Sequence, residues 1–200
     1  MFFHDSPHKS ILAALAGILV AVGVILYIYP YLKEKPLRNT DTDMPVWKVY
    51  ESEKFGMRFR YPETYYMETK ELGDGHRGHF LIMLTEDTEE NRLVREGKAP
   101  GREGPIAITF DLYQSPETLD PVLWMKGHSG SNYKLSDGTY QEITLAGKPA
   151  VSYSWDGLYR ADNMAVNHQD YVMSIAVTYL TPEDSIRKDY FNILNMLEFF

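Results

Sequence analysis

The feature that most constrains this chain is an uninterrupted apolar segment near its amino terminus. Ile11 to Tyr29 spans 19 residues without a charge. As a helix rising about 1.5 Å per residue it would be roughly 28 Å long, close to the thickness of a bilayer's hydrocarbon core. Tyrosines gather at its carboxyl end, as at a membrane interface, and Pro30 provides a helix stop. We therefore predict a transmembrane helix over 11–32, with Ile11, Gly17 and Tyr29 among its anchoring residues.

Two other interpretations of this segment fit less well. A helix buried in a protein core would carry a polar stripe, and a cleaved signal peptide would have a shorter apolar region followed by a small-x-small site. The chain instead continues as Tyr-Pro-Tyr-Leu-Lys over 29–33. We expect an uncleaved, single-pass anchor behind a short tail, 1–10. Small residues at Ala13, Gly17 and Ala21 would allow two anchors to pack as a homodimer.

The charges that flank the anchor conflict over topology. Lys9 lies on its amino-terminal side, whereas Lys33, Lys35 and Arg38 lie on its carboxyl-terminal side. Counting positive charges places the large domain in the cytoplasm. However, a single anchor behind a short tail usually keeps that tail inside the cell. On this ground we expect the domain to be extracytoplasmic, facing the cell envelope.

Charge and composition exclude several functions for the rest of the chain. Segment 33–45 is polar and contains proline, as expected of a linker. Residues 1–44 hold four basic and four acidic side chains, so the net charge of −8 belongs to the remainder. An acidic domain without a basic cluster argues against nucleic-acid binding. The chain contains no cysteine, which excludes disulfides, thiolate metal sites and thiol nucleophiles.

Alternating apolar and polar residues predict several short strands after the linker. Met57–Tyr61 and Val151–Trp155 alternate with a period of two, and so do the longer runs Ile106–Tyr113 and Tyr171–Tyr179. Phe80–Leu84 is apolar on both faces and should be a central strand. The connections between these runs are short and rich in turn residues. We therefore expect antiparallel hairpins, because parallel strands need longer crossovers.

Two segments have the pattern of helices. One begins at Ser115-Pro116 and ends near Gly127. The other begins with Thr181-Pro182-Glu183-Asp184, which supplies a cap, a proline at the first helical position and acidic residues for the helix dipole. Its apolar stripe consists of Ile186, Tyr190, Ile193, Leu194 and Leu197. The predicted fold class is α+β, a mostly antiparallel sheet with helices packed on it, in one domain over 46–200.

Three stretches of this domain resemble PsbP-like domains. Phe55–Pro62 (FGMRFRYP) resembles their opening G-apolar-x-F-x-Y-P motif, and Ile143–Ala150 (ITLAGKPA) resembles their central hairpin. Tyr190–Phe199 is similar to their closing helix. The resemblance implies the α/β/α sandwich shared by PsbP-like and Mog1-like proteins, whose characterised members are assembly factors and interaction modules. It brings no catalytic motif to this chain.

A glycine-rich motif at 73–78 has the spacing of a dinucleotide fingerprint, G-x-G-x-x-G. Such a site needs a helix directly after the glycines, because the backbone N–H groups of the helix amino terminus bind the pyrophosphate. A predicted strand follows here instead. We interpret the glycines as hairpin residues and expect no cofactor.

Gly127–Ser131 (GHSGS) approaches the G-x-S-x-G nucleophile elbow, with Ser129 in the nucleophile position. A true elbow turns from a strand into a helix, whereas this segment follows a helix and enters a loop. Gly127 serves naturally as a helix C-cap there. An esterase-like hydrolase through Ser129, with Asp156 and His168 as partners, is therefore kept only as an alternative.

Metal-binding patterns are weak. His76 and His79 lie three residues apart near Asp74, but such positions face opposite sides of a strand. A second polar cluster consists of Asp162, Asn163, Asn167 and Asp170. Its oxygen ligands would suit Ca²⁺ best, but it lacks the residue order of a calcium-binding loop. We assign no metal site from sequence.

Aromatic residues around two hairpins give the one candidate binding surface. Tyr65, Trp155 and Tyr159 could stack on a sugar or line a peptide groove if their rings are exposed. The same residues would pack in the core if they are buried.

We expect a non-enzymatic interaction or assembly domain at the cell membrane, with an envelope protein or cell-wall polymer as its partner. A cell-surface glycan- or peptide-binding module is the first alternative, and the hydrolase is the second.

Overall fold

The computed structural model describes residues 46–73, 78–99, 103–115 and 120–200. The predicted tail, membrane helix and linker all lie outside these ranges. Within them, no helix combines the length and apolar character needed to cross a membrane. The described residues belong to one compact unit, Pro45–Phe200.

This part of the chain forms ten strands and three α-helices. The first half comprises β1 (Trp47–Ser52), β2 (Met57–Pro62), β3 (Tyr65–Glu71), β4 (His79–Glu86), α1 (Glu89–Arg95) and β5 (Ile108–Gln114). The second half comprises α2 (Pro121–Gly127), β6 (Gln141–Leu145), β7 (Lys148–Asp156), β8 (Arg160–His168), β9 (Tyr171–Tyr179), α3 (Ser185–Asn195) and β10 (Glu198–Phe199). Two 3-10 turns, Ser129–Ser131 and Tyr133–Leu135, lie between α2 and β6.

The strands form two sheets. The larger sheet has the order β3-β4-β5-β9-β8-β7-β6, and the smaller has the order β1-β2-β10. Every pairing is antiparallel, which confirms the prediction from the short connections. The alternation over Met57–Tyr61 correctly predicted a strand. It did not reveal that β2 belongs to a separate sheet, because strand periodicity carries no information about partners.

One face of the larger sheet packs against the smaller sheet and α3. Phe59 of β2 stacks on Phe110 of β5 with ring centroids 4.4 Å apart and planes 6° apart. Tyr190 of α3 is completely buried, and its hydroxyl group donates a hydrogen bond to the Ile175 carbonyl at 2.9 Å. This main core therefore lies between the two sheets and the longest helix.

The opposite face is covered by α2 and the turns that follow it. Trp124 and Met125 of α2 are buried against Val151, Ala165 and Val172 of the sheet. Because both faces are covered, β8 and β9 are almost entirely buried.

Both predicted helices begin later than expected. Asp120 caps α2 by accepting hydrogen bonds from the N–H groups of Val122 and Leu123. At α3 the carboxylate of Asp184 accepts from the N–H groups of Leu180 and Thr181, which closes a turn before the helix begins at Ser185. Asp120 therefore caps its helix directly, whereas Asp184 stands at the N-cap position of α3 and uses its carboxylate to close the preceding turn.

The carboxyl end of the described chain is fixed by a buried histidine. His168 Nε2 lies 2.9 Å from the Gly56 carbonyl and must donate this hydrogen bond. The ring stacks on Phe199 at 4.4 Å, and the Phe200 N–H donates to the Gly56 carbonyl. Gly56 has φ +54°, and a Cβ there would lie only 2.6 Å from the Phe200 carbonyl oxygen. This junction therefore requires glycine at position 56 and an Nε2–H donor at position 168.

We predict that the free energy of unfolding falls as the pH drops from about 7 to about 5.5. Burial lowers the pKa of His168, and its Nδ1 is buried without a hydrogen-bond partner among the described residues. The unfolded chain, with a histidine pKa near its ordinary value of about 6.5, therefore binds a proton more readily than the folded chain does. Urea unfolding at both pH values measures this loss. The His168→Gln variant should show a smaller loss, and an equal loss in the two proteins would contradict the assignment.

Candidate functional site

The structure separates the three aromatic residues that the sequence suggested for binding. Tyr65, on β3, is only 3% exposed and donates its hydroxyl hydrogen bond to Asp189 Oδ2 at 3.0 Å. Its ring is therefore part of the core and does not face a ligand. Trp155 and Tyr159 are both half-buried beside the turn between β7 and β8. Two of the three predicted binding residues, Trp155 and Tyr159, therefore lie at the same end of the larger sheet.

Exposed leucines surround this turn. Leu158 at its tip is 67% exposed, Leu180 after β9 is 64% exposed and Leu135 from the second 3-10 turn is 50% exposed. Arg160 pairs with Tyr179 across the ladder, which places Leu158 and Leu180 at the same end of the sheet. A Cβ built on Gly157 would lie 3.6 Å from Leu135 Cδ1. We call the surface formed by Leu135, Trp155, Leu158, Tyr159 and Leu180 the hairpin end.

Two depressions flank the hairpin end. The smaller has a volume of about 230 Å³, and its walls include Leu135, Trp155 and Arg160. The larger has a volume of about 630 Å³, and its walls include Tyr159, Leu180 and the carboxylates of Glu86, Glu90 and Glu103. The site is therefore an apolar rim between two open cavities.

A charged cluster supports the hairpin end from beneath. Asp162 of β8 is 9% exposed and receives hydrogen bonds from Ser154 Oγ at 2.8 Å, Tyr179 Oη at 3.2 Å and Arg187 Nε at 2.6 Å. The bond to Asp162 raises the pKa of Arg187 further above its usual range, so the guanidinium stays charged. Arg187 also lies over the Tyr179 ring, 5.0 Å from its centroid. These contacts connect β7, β8, β9 and α3.

The serine motif does not form a catalytic group. Ser129 is exposed in a 3-10 turn that follows α2, not in a turn from a strand into a helix. Its proposed partners lie far apart, because Asp156 pairs with Arg160 at the first residue of β8 whereas His168 is the last residue of that strand. At about 3.4 Å per residue this separates them by roughly 27 Å. The arrangement lacks the nucleophile–base–acid geometry of a hydrolase.

The remaining sequence motifs take up structural roles. Gly73 and Gly78 lie between the paired strands β3 and β4, as expected of a hairpin, although 74–77 are outside the described residues. His79 Nε2 binds Asp111 Oδ1 at 2.8 Å, and its ring stacks on Tyr113. Burial raises the pKa of Asp111 while the bond from His79 opposes the shift. Across the described ranges, no three His, Cys, Asp or Glu side chains are grouped to hold a metal ion.

Comparison with known proteins shows the fold but no family. No protein-family profile matches the sequence, and no curated protein matches it. Among solved structures, the chain is similar to the solution structure of cyanobacterial PsbP (CyanoP) from Synechocystis sp. PCC 6803, with a TM-score of 0.50 and 8% sequence identity. The match covers 80% of this chain and 96% of that chain. The chain therefore has a PsbP-like fold, as the three sequence stretches implied.

We predict that Asp162→Asn lowers the free energy of unfolding by about 1.5–3 kcal/mol, since it weakens charge-assisted hydrogen bonds and leaves Arg187 poorly compensated. The matched control is Asp156→Asn, because its carboxylate is 71% exposed and lies 3.9 Å from Arg160. That change should cost less than about 0.5 kcal/mol. Urea unfolding monitored by tryptophan fluorescence measures both, and equal losses would show that Asp162 does not support the hairpin end.

Proposed function

We propose that this chain is a membrane-tethered, non-catalytic interaction domain that binds a partner protein of the cell envelope through the hairpin end. The observation that carries this proposal is the convergence of three exposed leucines from separate loops on one end of the larger sheet. Single exposed apolar residues are ordinary on protein surfaces, whereas a group rimmed by polar residues is typical of a binding surface.

The rigidity of the support favours binding as well. The charged cluster around Asp162 holds the strands beneath the hairpin end in one geometry; its other members are Arg187, Ser154 and Tyr179. A surface that is already ordered loses little conformational entropy when a partner binds. The half-buried rings of Trp155 and Tyr159 could supply the aromatic anchors that dominate many interfaces.

The membrane location in this proposal rests on the sequence. The uncharged segment Ile11–Tyr29 and the polar linker 33–45 motivate the tether. The acidic character of the folded domain would keep it from lying on anionic lipid headgroups, because like charges repel. The hairpin end would then be available to another protein.

A glycan- or peptide-binding module is the second candidate. It is favoured by the position of Trp155 and Tyr159, each of which contributes to the wall of one depression. A soluble oligosaccharide that quenches Trp155 fluorescence at millimolar concentration would support this candidate over a protein partner.

We predict that a photo-crosslinking amino acid placed at Leu158 captures a discrete envelope protein in intact cells. The side chain is 67% exposed at the centre of the proposed surface, so the photoreactive group should touch a bound partner without disturbing the core. The experiment uses the full chain with p-benzoylphenylalanine at this position, and covalent adducts are resolved by electrophoresis and identified by mass spectrometry.

The matched control carries the same amino acid at Leu72, which is 49% exposed at the opposite end of the sheet, next to His79. The adduct should form from position 158 and not from position 72. The same adduct from both positions, or none from position 158, would overturn the proposed surface.

A further inference from the structure

Strand β7 extends beyond its outer neighbour. On that side β6 pairs with it only from Leu145 opposite Lys148 to Gln141 opposite Ser152. On the other side β8 continues to pair with β7 as far as Asp156 opposite Arg160. Within the described ranges, the last four residues of β7, 153–156, therefore have a strand on one side only.

The register shows which backbone groups face the open side. The turn between β6 and β7 consists of Ala146 and Gly147, both with positive φ (47° and 79°), as in a two-residue type I′ hairpin. Such a turn is closed by a hydrogen-bonded pair, here Leu145 and Lys148, and these pairs recur at every second residue. Lys148, Ala150 and Ser152 therefore direct their N–H and C=O groups toward β6. By continuation, Ser154 and Asp156 direct theirs toward the open edge.

The intervening residues confirm this direction. Gly157 N–H donates to the Tyr159 carbonyl across the turn between β7 and β8. That hydrogen-bonded pair places Trp155 and Tyr153 in the series that faces β8, because successive residues of a strand alternate in direction. Across the described residues, the backbone N–H and C=O groups of Ser154 and Asp156 make no hydrogen bond.

The smaller depression lies along this open edge. Its walls include Ser154 and Asp156 together with Leu135, Trp155 and Arg160. Trp155 is on one face of the sheet, and Ser154 and Asp156 are on the other, with Arg160. Arg160 is more than half exposed, and in the part of the chain that the structure describes its ion-pair partner is the Asp156 carboxylate, 3.9 Å away. If an extended peptide lay along this edge, one of its side chains would contact Trp155 on one face of the sheet. The next side chain would face the Arg160 guanidinium on the other face.

Other strand edges of the larger sheet lack these surroundings. The outer edge of β3 carries the exposed charged residues Lys70 and Glu71, which discourage strand addition. The outer edge of β6 presents the exposed Glu142 and Thr144. The end of β7 is distinguished by unpaired ladder groups beside a depression that has Leu135 and Trp155 in its walls.

We propose that the partner binds here by strand addition: an extended peptide segment pairs with Ser154 and Asp156 of β7 and places one apolar side chain against Trp155 and Leu135. The neighbouring side chain of the segment is polar or acidic and faces Arg160. This inference rests on the proposed function, since it specifies how the partner engages the hairpin end. Backbone hydrogen bonds supply affinity in this mode, and the alternating side chains supply specificity.

The test uses a peptide obtained by panning a phage-displayed random heptapeptide library on the full chain in detergent micelles. Its Kd is measured by fluorescence polarisation with the wild type and with three variants. Ser154→Pro removes one outward N–H group without removing a ladder bond, because proline is tolerated where the N–H faces away from a neighbouring strand. Its Kd should rise roughly tenfold or more, which corresponds to about 1.4 kcal/mol.

Two controls isolate the edge of β7. Thr144→Pro removes an equivalent outward N–H group from β6, and Ser154→Ala removes only the hydroxyl that binds Asp162. Thr144→Pro should leave the Kd within about twofold, and the Kd of Ser154→Ala is the baseline above which the loss of the Ser154 N–H group in Ser154→Pro is measured. An unchanged Kd for Ser154→Pro, an equal rise for Thr144→Pro, or failure to enrich any peptide would overturn strand addition.

A measurement on the wild type covers the case in which Ser154→Pro does not fold. The amide protons of Ser154 and Asp156 should exchange with solvent faster than those of Tyr153 and Trp155, and the selected peptide should slow them at least tenfold. Equal exchange of all four, or protection elsewhere in the chain alone, would contradict the proposal. A crosslinked adduct from position 158 that persists in Ser154→Pro would uphold the proposed surface while rejecting strand addition.

Discussion

The fold depends on covering both faces of one seven-stranded antiparallel sheet. Its central strands are apolar on both sides, so each face must be shielded from water. The three-stranded sheet and α3 cover one face, and the stack of Phe59 on Phe110 joins the two sheets at its centre. Among the described residues, the other face is covered by the seven-residue α2 and two 3-10 turns. The two faces of the larger sheet are therefore shielded to different extents, and part of the sheet remains exposed to solvent.

The hairpin end is exposed because the elements that cover the larger sheet do not extend over its whole length. The turns after α2 reach the hairpin end at Leu135, and β6 stops opposite Ser152 while β7 continues. Burial therefore ends before the strands do, which leaves leucines and ladder groups exposed at the same place. The bond between Asp162 and Arg187 keeps this incompletely covered end in a fixed geometry. A stable core and an unfinished sheet edge can thus coexist in one domain.

The sequence predicted the features that have a periodic signal. The alternation over Tyr171–Tyr179 matches β9 residue for residue, and the apolar stripe that includes Ile186 and Tyr190 lies on the buried face of α3. The resemblance to PsbP-like domains agrees with the fold. These features are local, so a single sequence contains them.

The candidate site was only partly predictable because its residues meet through tertiary contacts. Burial separates Tyr65 from Trp155, although both are aromatic residues in strands of similar pattern. Leu135, Leu158 and Leu180 lie in loops without periodicity, and Asp162 meets Arg187 across 25 positions of the chain. The early stop of β6 depends on pairing register, which follows from the structure alone. The turn residues Ala146 and Gly147 indicate the hairpin of β6 and β7, but they do not show where β6 stops.

A topology measurement can show whether this domain is tethered on the outer side of a membrane, as we propose. Alkaline phosphatase and a green fluorescent protein are each fused after Phe200 through a flexible linker, and the two fusions are expressed in a bacterial host. Phosphatase activity with little fluorescence is the result we predict, because phosphatase folds only outside the cytoplasm. Fluorescence without phosphatase activity would contradict it, and the positive charges of Lys33, Lys35 and Arg38 would then have determined the orientation.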